Sequence, residues 1–367
     1  MKRILSQCVK ELSQFRRDRL TLALAFILPL LTLLIFGFAI RLEAKNIPIV
    51  IQDFDNTPLS RSYIERLFAT NQLEPARWEL DAPVTEAIDS ERAKAAVIIP
   101  PDFSRQIKAR QPADVQVLVD GSDVNNARII ENSIRATTQF FLRTSALQRM
   151  PPRVVTRTRI WFNPGRKESL YIVPGTCAVI FWIYPSLLAA IAMVREKEQG
   201  TLVQVFASSL SAQELILGKA LAYLVVGLGE AVLILGLATL FFRLQIAGDP
   251  TPLLIGTPIF IFTAALFGIF IGIRTANQNA AVQAVATLGF LTALLLSGFI
   301  YPLSNIPFPL SLISNIVPAR YYIVIIRDAF VRGTGWAGVW FPMLIMTLIG
   351  FVLFNIARRL LQSAGKE

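Results

Sequence analysis

The sequence contains no histidine, only two cysteines and no glycine-rich phosphate-binding loop. Because histidine is absent, the chain lacks the commonest general base, the usual partner of a nucleophilic serine and a frequent zinc ligand. Gly218-Lys219 has neither an earlier glycine at the required spacing nor a following serine or threonine, so the chain cannot hydrolyse ATP by itself. Cys8 and Cys177 are far apart and flank the outer segment predicted below, which argues against a disulfide.

The composition contains more apolar surface than one soluble core needs. Hydrophobic residues make up 54% of the 367 residues, and the mean hydropathy is +0.53, so the surplus is expected to face lipid. The net charge of +11 could suggest nucleic acid. However, the basic residues flank apolar runs and form no single stripe, so we interpret them as topology signals and expect no nucleic-acid partner.

The apolar runs predict a polytopic α-helical membrane protein with six transmembrane helices and an inserted α/β extracytoplasmic domain. A helix needs about 20 largely uncharged residues to cross roughly 30 Å of hydrocarbon. The predicted order is a cytoplasmic amphipathic interfacial helix (1–19), TM1 (20–40), the outer α/β domain (41–170), TM2 (171–194), a cytoplasmic coupling helix loop (195–219), TM3 (220–242), TM4 (252–273), TM5 (280–300), an outer re-entrant or interfacial segment (301–332), TM6 (336–357) and a cytoplasmic tail (358–367).

The distribution of lysine and arginine predicts the orientation. Basic residues precede TM1, follow TM2 and close the chain, so both termini are expected in the cytoplasm and the large domain outside. A cleaved secretory signal is not expected, because the first apolar run begins at Leu20 and has full span length. The first 19 residues have apolar side chains at helical spacing, which predicts a helix on an anionic membrane surface; ordinary packing is the alternative.

Residues 41–170 are rich in charge and alternate short β-branched runs with helical patterns, which predicts the α/β domain. The predicted strands are 47–52, 95–99 and 115–119, and the predicted helices are 59–70, 84–92, 103–109 and 125–147.

One turn in this domain resembles the nucleophile loop of haloacid-dehalogenase phosphatases. Asp53 and Asp55 follow a predicted strand, as the magnesium-binding and nucleophilic aspartates of those enzymes do. The acidic pair in Asp120-Gly121-Ser122-Asp123 lacks the required spacing. We therefore favour a strand-to-helix turn with an N-cap at or near Thr57.

The segment after TM2 has the most specific pattern in the chain. Arg195-Glu196-Lys197-Glu198-Gln199-Gly200-Thr201, followed by Glu214 and Leu217-Gly218-Lys219, resembles the signature of type-2 ATP-binding-cassette (ABC) exporter permeases. The resemblance implies a short charged helix that docks in a groove of a cytosolic ATPase and transmits its closure to the membrane. A solvated loop that obeys the positive-inside rule is the alternative. The candidate coupling residues are Arg195, Glu196, Glu198, Gly200, Thr201, Glu214 and Lys219.

The resemblance extends over essentially the whole chain. It includes Asp53, Asp55 and Pro58, Pro100-Pro101 with Phe103, Asp120-Gly121-Ser122, and 297–302 with Gly333. It implies outer gate or re-entrant residues at Pro302, Pro307, Pro318, Arg320, Tyr321 and Arg327. The chain departs from the family where Val203 replaces a frequent glutamate and Ser209 a frequent proline.

Glu230 lies in the middle of TM3, where an ionisable side chain is costly unless it is paired or hydrated. It is a candidate for the translocation path, with a cation or a proton as its ligand. The favoured interpretation is a hydrogen bond between helices, at a close contact that Gly227 and Gly229 permit. Asn277 and Gln278 lie in the short cytoplasmic turn after TM4, where they are predicted to cap or to cover a loop.

The resemblance implies a membrane subunit, not an enzyme, of an exporter in a bacterial inner membrane. ATP and magnesium would bind the partner ATPase, and this chain would hold no cofactor. The other implied partners are membrane lipid, an identical or similar second permease, a periplasmic adaptor and an outer-membrane channel. TM2 and TM5 would line the route of a hydrophobic or amphiphilic, drug-like molecule. Two alternatives remain: a non-transporting receptor with a ligand-binding outer domain, and a membrane-anchored phosphatase that uses Asp53 and Asp55.

Overall fold

The computed structural model describes most of the chain, in two compact units. The described residues are 1–39, 46–70, 72–78, 83–109, 111–122, 124–144, 162–163, 167–201 and 210–364. One unit comprises Met1–Ile40 with Arg159–Glu367, and the other comprises Arg41–Thr158. Asp123, Val203 and Ser209, which figure in the sequence interpretation, lie outside the described residues, as do 145–147 of the helix predicted at 125–147.

The first unit is helical and contains six helices that are long and apolar enough to cross a membrane, which confirms the predicted number of spans. Its helices are α1 (Lys2–Arg17), α2 (Arg19–Ala39), α7 (Ser169–Glu198), α8 (Ala212–Phe242), α9 (Thr251–Arg274), α10 (Gln278–Ala284), which continues through a π-helical stretch (Val285–Leu291) into α11 (Thr292–Leu296), and α14 (Trp336–Ala364).

Helix α7 is central among the six spans. In its most apolar window 78% of the residues are buried, against 22% in α2 and in α14. Small residues let α9 approach it closely: a Cβ added to Gly268 would lie 2.0 Å from the carbonyl oxygen of Ser186, and the Ser186 hydroxyl donates to Ala264 O at 2.8 Å. Close packing of small residues is the usual basis of helix association in lipid. The apolar surface of the outer helices is left for lipid or for another chain.

The helix boundaries differ from the sequence prediction around the expected coupling loop. Residues 195–198 continue α7 for one more turn, and α8 begins at Ala212, eight residues before predicted TM3. Most of the residues that the structure describes in the predicted loop 195–219 therefore belong to helix ends, because charged side chains do not terminate a helix that continues beyond the bilayer. The fifth span begins at Gln278 and ends at Leu296, four residues earlier than predicted.

The segment 301–332 consists of short helices, as its prolines suggest. It contains a 3₁₀ turn (Leu303–Asn305), α12 (Leu310–Ser314), α13 (Pro318–Arg327) and a π-helical end (Asp328–Arg332). Many of its large apolar side chains are exposed, including Phe308 at 78% and Ile316 at 69%.

The second unit contains a four-stranded sheet in the order β2-β1-β3-β4. The first three strands in that order are parallel, and β4 is antiparallel to β3. The strands are β1 (Ile47–Asp53), β2 (Leu73–Pro75), β3 (Ala95–Ile99) and β4 (Gln116–Val119), and the helices are α3 (Pro58–Phe68), α4 (Val84–Asp89), α5 (Phe103–Lys108) and α6 (Val124–Thr144). The sequence prediction missed β2, which has only three residues and ends in proline.

The core of this unit is aromatic. Tyr63, Phe103 and Phe141 from α3, α5 and α6 are nearly inaccessible, and their ring centroids lie 5.2–6.5 Å apart. This spacing is the favourable range for aromatic pairs.

Candidate functional site

The end of α7, residues 195–198, is called here the α7 terminus. Arg195 and Lys197 place positive charge in the last turn, where the helix dipole favours it. The helix stops where Gly200 adopts a left-handed backbone with φ of +67°, a conformation that glycine reaches without strain. A Cβ added to Gly200 would meet no atom of the described residues within 4 Å, so the left-handed backbone, and not a close contact with those residues, explains this glycine.

Each of the four side chains of the α7 terminus contacts a different part of the helical unit. Successive residues of an α-helix are rotated by about 100°, so four of them point almost all around the axis. Arg195 pairs with Asp18 at 2.9 Å, at the junction of α1 and α2. Lys197 donates to the carbonyl oxygens of Ile273 and Thr275 at 3.0 and 2.7 Å, at the end of α9.

Glu198 connects the α7 terminus to the fifth span. Its carboxylate accepts from the backbone N–H of Gln278 at 2.9 Å and from the side-chain amide of the same residue. Asn277 caps α10 by accepting from Ala280 N at 2.8 Å, which confirms the predicted cap. The contact with Glu198 was not predicted.

Glu196 belongs to a buried ionic cluster of four side chains. Lys219 lies 2.6 Å from Glu11 and 3.3 Å from Glu196, and Lys10 lies 2.9 Å from the same Glu196 oxygen. The side chains of Lys219 and Glu11 are only 1% and 2% exposed, and Gln7 donates a further hydrogen bond to Glu11 at 3.0 Å. Buried charges are stable only with such partners, so the cluster joins α1, α7 and α8.

Helix α1 therefore packs against the protein through a face that combines polar side chains with the apolar Leu12 and Phe15. Gln7, Cys8 and Glu11 are buried, and Gln7 lies so close to α8 that a Cβ on Gly218 would approach it to 2.6 Å. The apolar side chains of Leu5 and Val9 are 57% and 60% exposed. Ordinary packing, the alternative given above for the first 19 residues, therefore describes one face of α1. Exposed apolar side chains lie on the rest of the helix.

Asp18, which sequence reasoning did not select, caps α2. Its carboxylate accepts from the Thr21 hydroxyl at 2.6 Å and from the backbone N–H groups of Leu20 and Thr21. The hydrogen bond from Thr21 is the largest influence on the pKa of Asp18; together with Arg195 it lowers that pKa against the opposing effect of burial.

The predicted coupling residues thus have different surroundings. Glu196 and Lys219 are buried in the ionic cluster, so neither is on the surface of this chain that a partner could contact. Glu214 forms a capping box with Ser211 at the start of α8, and this contact stabilises the beginning of that helix. Thr201 donates to the carbonyl oxygen of Glu196 at 3.1 Å.

Glu230 is fully buried in α8, and neither of its carboxylate oxygens has a hydrogen-bond partner among the described residues. The predicted hydrogen bond between helices is therefore wrong. The close contact at Gly227 does exist, since an added Cβ there would lie 2.5 Å from Ile261. At Gly229 the nearest atom would be 3.8 Å away, on Phe26.

Arg327 organises the other end of α7. Its guanidinium donates to the carbonyl oxygens of Gly298 and Phe299 at 3.0 and 3.3 Å and lies 4.0 Å from the ring centroid of Tyr171. Gly298 has φ of +83° where the fifth span ends, so the arginine satisfies carbonyl groups that the interrupted helix leaves free.

The other residues predicted in the outer segment shape its backbone. Arg320 donates to the Ser314 hydroxyl at 2.9 Å, and Tyr321 donates to Asn315 O at 2.7 Å. The prolines lie at helix starts: Pro302 precedes the 3₁₀ turn, Pro307 O accepts from Ser311 N at 3.1 Å near the start of α12, and Pro318 is the first residue of α13.

The aspartates of the phosphatase-like turn are used as hydrogen-bond acceptors. Asp53 accepts from Ser60 at 2.6 Å and from the backbone of Asp55 and Asn56. Asp55 accepts from Thr57 and Ser104. Burial acts to raise the pKa of Asp55, but the hydrogen bonds from Ser104 and Thr57 outweigh it and lower the pKa. Thr57 forms the N-cap of α3, as the turn interpretation predicts.

Comparisons with known proteins agree with this architecture. Residues 19–359 match the family described as ABC-2 family transporter protein. The chain is 28% identical to the probable multidrug ABC transporter permease YbhS of Escherichia coli, over 90% of this chain and 89% of that protein. It is also 28% identical to the probable multidrug ABC transporter permease YbhR of Escherichia coli, over 92% of this chain and 93% of that protein. It is 22% identical to ABC transporter G family member 20 of Dictyostelium discoideum, over 94% of this chain and 48% of that protein.

Proposed function

The chain belongs to the ABC-2 family of transporter proteins, and on that premise we propose that it is the membrane permease subunit of an exporter driven by a separate cytosolic ATPase. The cargo is a hydrophobic or amphiphilic, drug-like molecule. Two relatives at 28% identity that are named as probable multidrug permeases support this choice of cargo.

The α7 terminus is the observation that carries the proposal. Its four successive side chains bind the α1–α2 junction, α8, the end of α9 and the start of α10. A force applied at Gly200 would therefore act on nearly every span at once. Coupling requires such a contact between rigid elements, because ATPase closure has to change the arrangement of the whole bundle.

In this mechanism the ATPase contacts the exposed side of the α7 terminus and the residues next to it. Arg195, Glu198, Gly200 and Thr201 lie on or next to that surface, and Glu214 holds the start of α8. Glu196 and Lys219 act from the interior by keeping α1 attached. Both termini and this surface are cytoplasmic, and the sheet unit is periplasmic or extracellular.

The remaining parts of the proposal concern assembly and the route. Two permeases, identical or similar, form a dimer, and the exposed apolar side chains of the outer segment supply surface for it or for lipid. Glu230 lies beside the route, where an unpaired buried carboxylate has a function more often than a structural role. A periplasmic adaptor and an outer-membrane channel complete the pathway.

The first test is affinity purification of the tagged chain from its native membrane in mild detergent. We expect a nucleotide-binding ATPase at near-equal stoichiometry, and we expect Glu198→Lys to deplete it, because the change reverses the charge on the exposed coupling surface. Glu131→Lys is the matched control, since Glu131 is an exposed glutamate on α6 whose ion pair lies within that helix.

An ATPase that accompanies both the native chain and the Glu131→Lys variant, but not Glu198→Lys, supports the proposal. If no ATPase accompanies the native chain, the exporter proposal fails and the receptor alternative replaces it. If Glu198→Lys retains the ATPase fully, the contact surface lies elsewhere.

A further inference from the structure

The fifth span is interrupted in its middle by a π-helical stretch, Val285–Leu291, which lies between α10 and α11. This stretch is called here the π segment. Short π-helical turns inside α-helices are rare and occur frequently at functional sites. When such a turn rewinds to an α-helix, the helix on one side of it rotates relative to the other side by about 100°, the rotation of one residue.

The two ends of the fifth span are held by side chains from elsewhere in the bundle. At the α10 end, Glu198 accepts from the backbone N–H of Gln278 at 2.9 Å. Just beyond the α11 end, Arg327 donates to Gly298 O at 3.0 Å. Between Gln278 and Leu296, the π segment is the described part that is not α-helical. A displacement of the α7 terminus that pulls on Gln278 will therefore act on the π segment.

Thr292 stabilises the π segment in its π-helical form. Its backbone N–H donates to Gly289 O. Its hydroxyl donates to Leu288 O at 2.6 Å, the acceptor that an α-helix would assign to the backbone N–H of Thr292. Because that N–H would reach Leu288 O in an α-helix, the hydroxyl contributes more to the π-helical form than to the α-helical one.

Trp182 on α7 carries a second donor, which the π-helical form leaves unused. The side chain is 2% exposed, and its Nε1 has no hydrogen-bond partner among the described residues. The ring is fixed by stacking on Phe260 and Phe267 of α9, with centroids 5.8 and 5.0 Å away. A buried N–H group without a partner is costly and requires an explanation.

The indole Nε1 of Trp182 lies close to the backbone of the π segment at Gly289. A Cβ added to Gly289 would lie 3.6 Å from it, so the glycine lets the indole ring approach the peptide groups there. A carbonyl oxygen has two lone pairs and can accept from a side chain in addition to its helical partner. A rotation of the helix at this point can therefore present a carbonyl oxygen to the indole N–H.

We propose that Trp182 is a positioning residue for a second, α-helical form of the π segment. In that form the indole N–H donates to a backbone carbonyl oxygen at or next to Gly289, and α10 is rotated relative to α11. The inference rests on the proposed export function, since displacement of the α7 terminus by the ATPase would select between the two forms. Thr292 favours the π-helical form, and Trp182 favours the α-helical one.

Nuclear magnetic resonance of the full chain, labelled with ¹⁵N-tryptophan in lipid nanodiscs, tests for the second form. Trp182→Phe identifies the signal of Trp182 among the five indole signals. In the native chain we expect the proton shift of an indole N–H without a hydrogen bond. Thr292→Val keeps the shape of the side chain but removes the hydroxyl, so it should move this signal downfield. Thr292→Ser keeps the hydroxyl and should leave the signal in place.

A native Trp182 signal at the position of a hydrogen-bonded indole overturns the proposal, and so does an unmoved signal in Thr292→Val. The other four indole signals show whether the variant is folded. If Thr292→Val does not fold, Gly289→Ala provides the same test, because alanine favours the α-helix over glycine. A Cβ at that position would come no closer than 3.2 Å to a neighbouring side chain.

The role in transport is tested separately, with the complex of permease and ATPase reconstituted in vesicles. Trp182→Phe keeps an aromatic ring but removes the N–H, and we expect the rate of export to fall about fivefold, the size of one hydrogen bond. Trp340→Phe, on α14 and 58% exposed, is the matched control and should export normally. Normal export by Trp182→Phe overturns the role in transport. The resonance measurement uses neither ATP nor the ATPase, so its failure leaves the export function untouched.

Discussion

The two ends of α7, roughly 45 Å apart at 1.5 Å per residue over its 30 residues, are held by different chemistry. At the α7 terminus, ion pairs between side chains of several helices predominate, and Lys197 in addition donates to two backbone carbonyl groups at the end of α9. At the other end, Arg327 donates to backbone carbonyls and stacks on Tyr171. The α7 terminus connects helices whose backbones are intact. At the other end, Arg327 satisfies a carbonyl group at Gly298, where the fifth span is interrupted.

This difference shows where each kind of contact is useful. Ion pairs between side chains leave the backbone hydrogen bonds of every helix intact, so they can join many helices that move as units. A guanidinium on carbonyl groups requires a backbone that has already left the helix, as at Gly298. We therefore expect the α7 terminus to carry coupling and the Arg327 end to fix the shape of the outer segment.

Removing the central cation of the buried cluster should have the largest effect on stability. Lys219→Met leaves Glu11 buried without a cation, and breaking a buried pair typically costs about 3–5 kcal/mol. Thermal unfolding of the purified chain in detergent measures the loss.

Lys10→Met is the control for this change, because Lys10 is 41% exposed and partly exposed pairs contribute about 1 kcal/mol or less. Adding Glu11→Gln to Lys219→Met should recover part of the lost stability, since it removes the unpaired charge. Equal losses for Lys10→Met and Lys219→Met would show that burial does not distinguish the two cations.

At the Arg327 end of α7, stability should depend on the planar shape of the arginine side chain more than on its charge. Arg327→Met leaves two carbonyl groups with fewer donors and should cost about 2 kcal/mol, given 1–3 kcal/mol for an unsatisfied buried group. Arg327→Lys keeps the charge but loses the planar fork and the stacking on Tyr171, so it should recover less than half of that loss. Thermal unfolding of both variants checks the order, and full recovery by lysine would contradict it.

The contrast between the two ends also explains what the sequence could predict. The six spans follow from apolar length alone, and the candidate residues from Arg195 to Lys219 follow from a family resemblance. Glu11 was missed because it lies in a helix whose pattern is amphipathic, and no local pattern shows that polar side chains lie on its buried face. Asp18 lies at the junction of α1 and α2, and no short motif indicates its ion pair with Arg195. The contact of Glu198 with Gln278 depends on how α7 and α10 are placed in space, which one sequence does not encode in any short motif.

Glu230 lies between the two ends, and its carboxylate has neither kind of contact with the residues that the structure describes. Glu230→Leu removes a buried polar group without a partner, so stability should rise by about 1–3 kcal/mol. Export by the reconstituted transporter should fall at the same time, because a residue retained at a cost to stability is expected to act in transport. Ala231→Leu, next to it in the same core, is the control for altered packing. Unchanged export in the Glu230→Leu variant would assign the glutamate no role.

The smallest effect on stability should accompany a large effect on coupling. Glu198 is exposed and Gln278 is half-buried, and the hydrogen bonds between them are exposed, so Glu198→Ala should cost about 0.5 kcal/mol or less, as exposed polar pairs usually do. Yet this contact is a polar connection from the α7 terminus to α10, next to the apolar packing of Val194 on Ala281, and its loss should uncouple ATP hydrolysis from export. The measurement is the amount of cargo exported per ATP hydrolysed by the purified complex in vesicles. Gln278→Ala removes the same side-chain contact from the other side and should reproduce the defect, while Glu131→Ala should not. If both Glu198→Ala and Gln278→Ala export normally, the α7 terminus is a structural joint, and coupling passes through other residues.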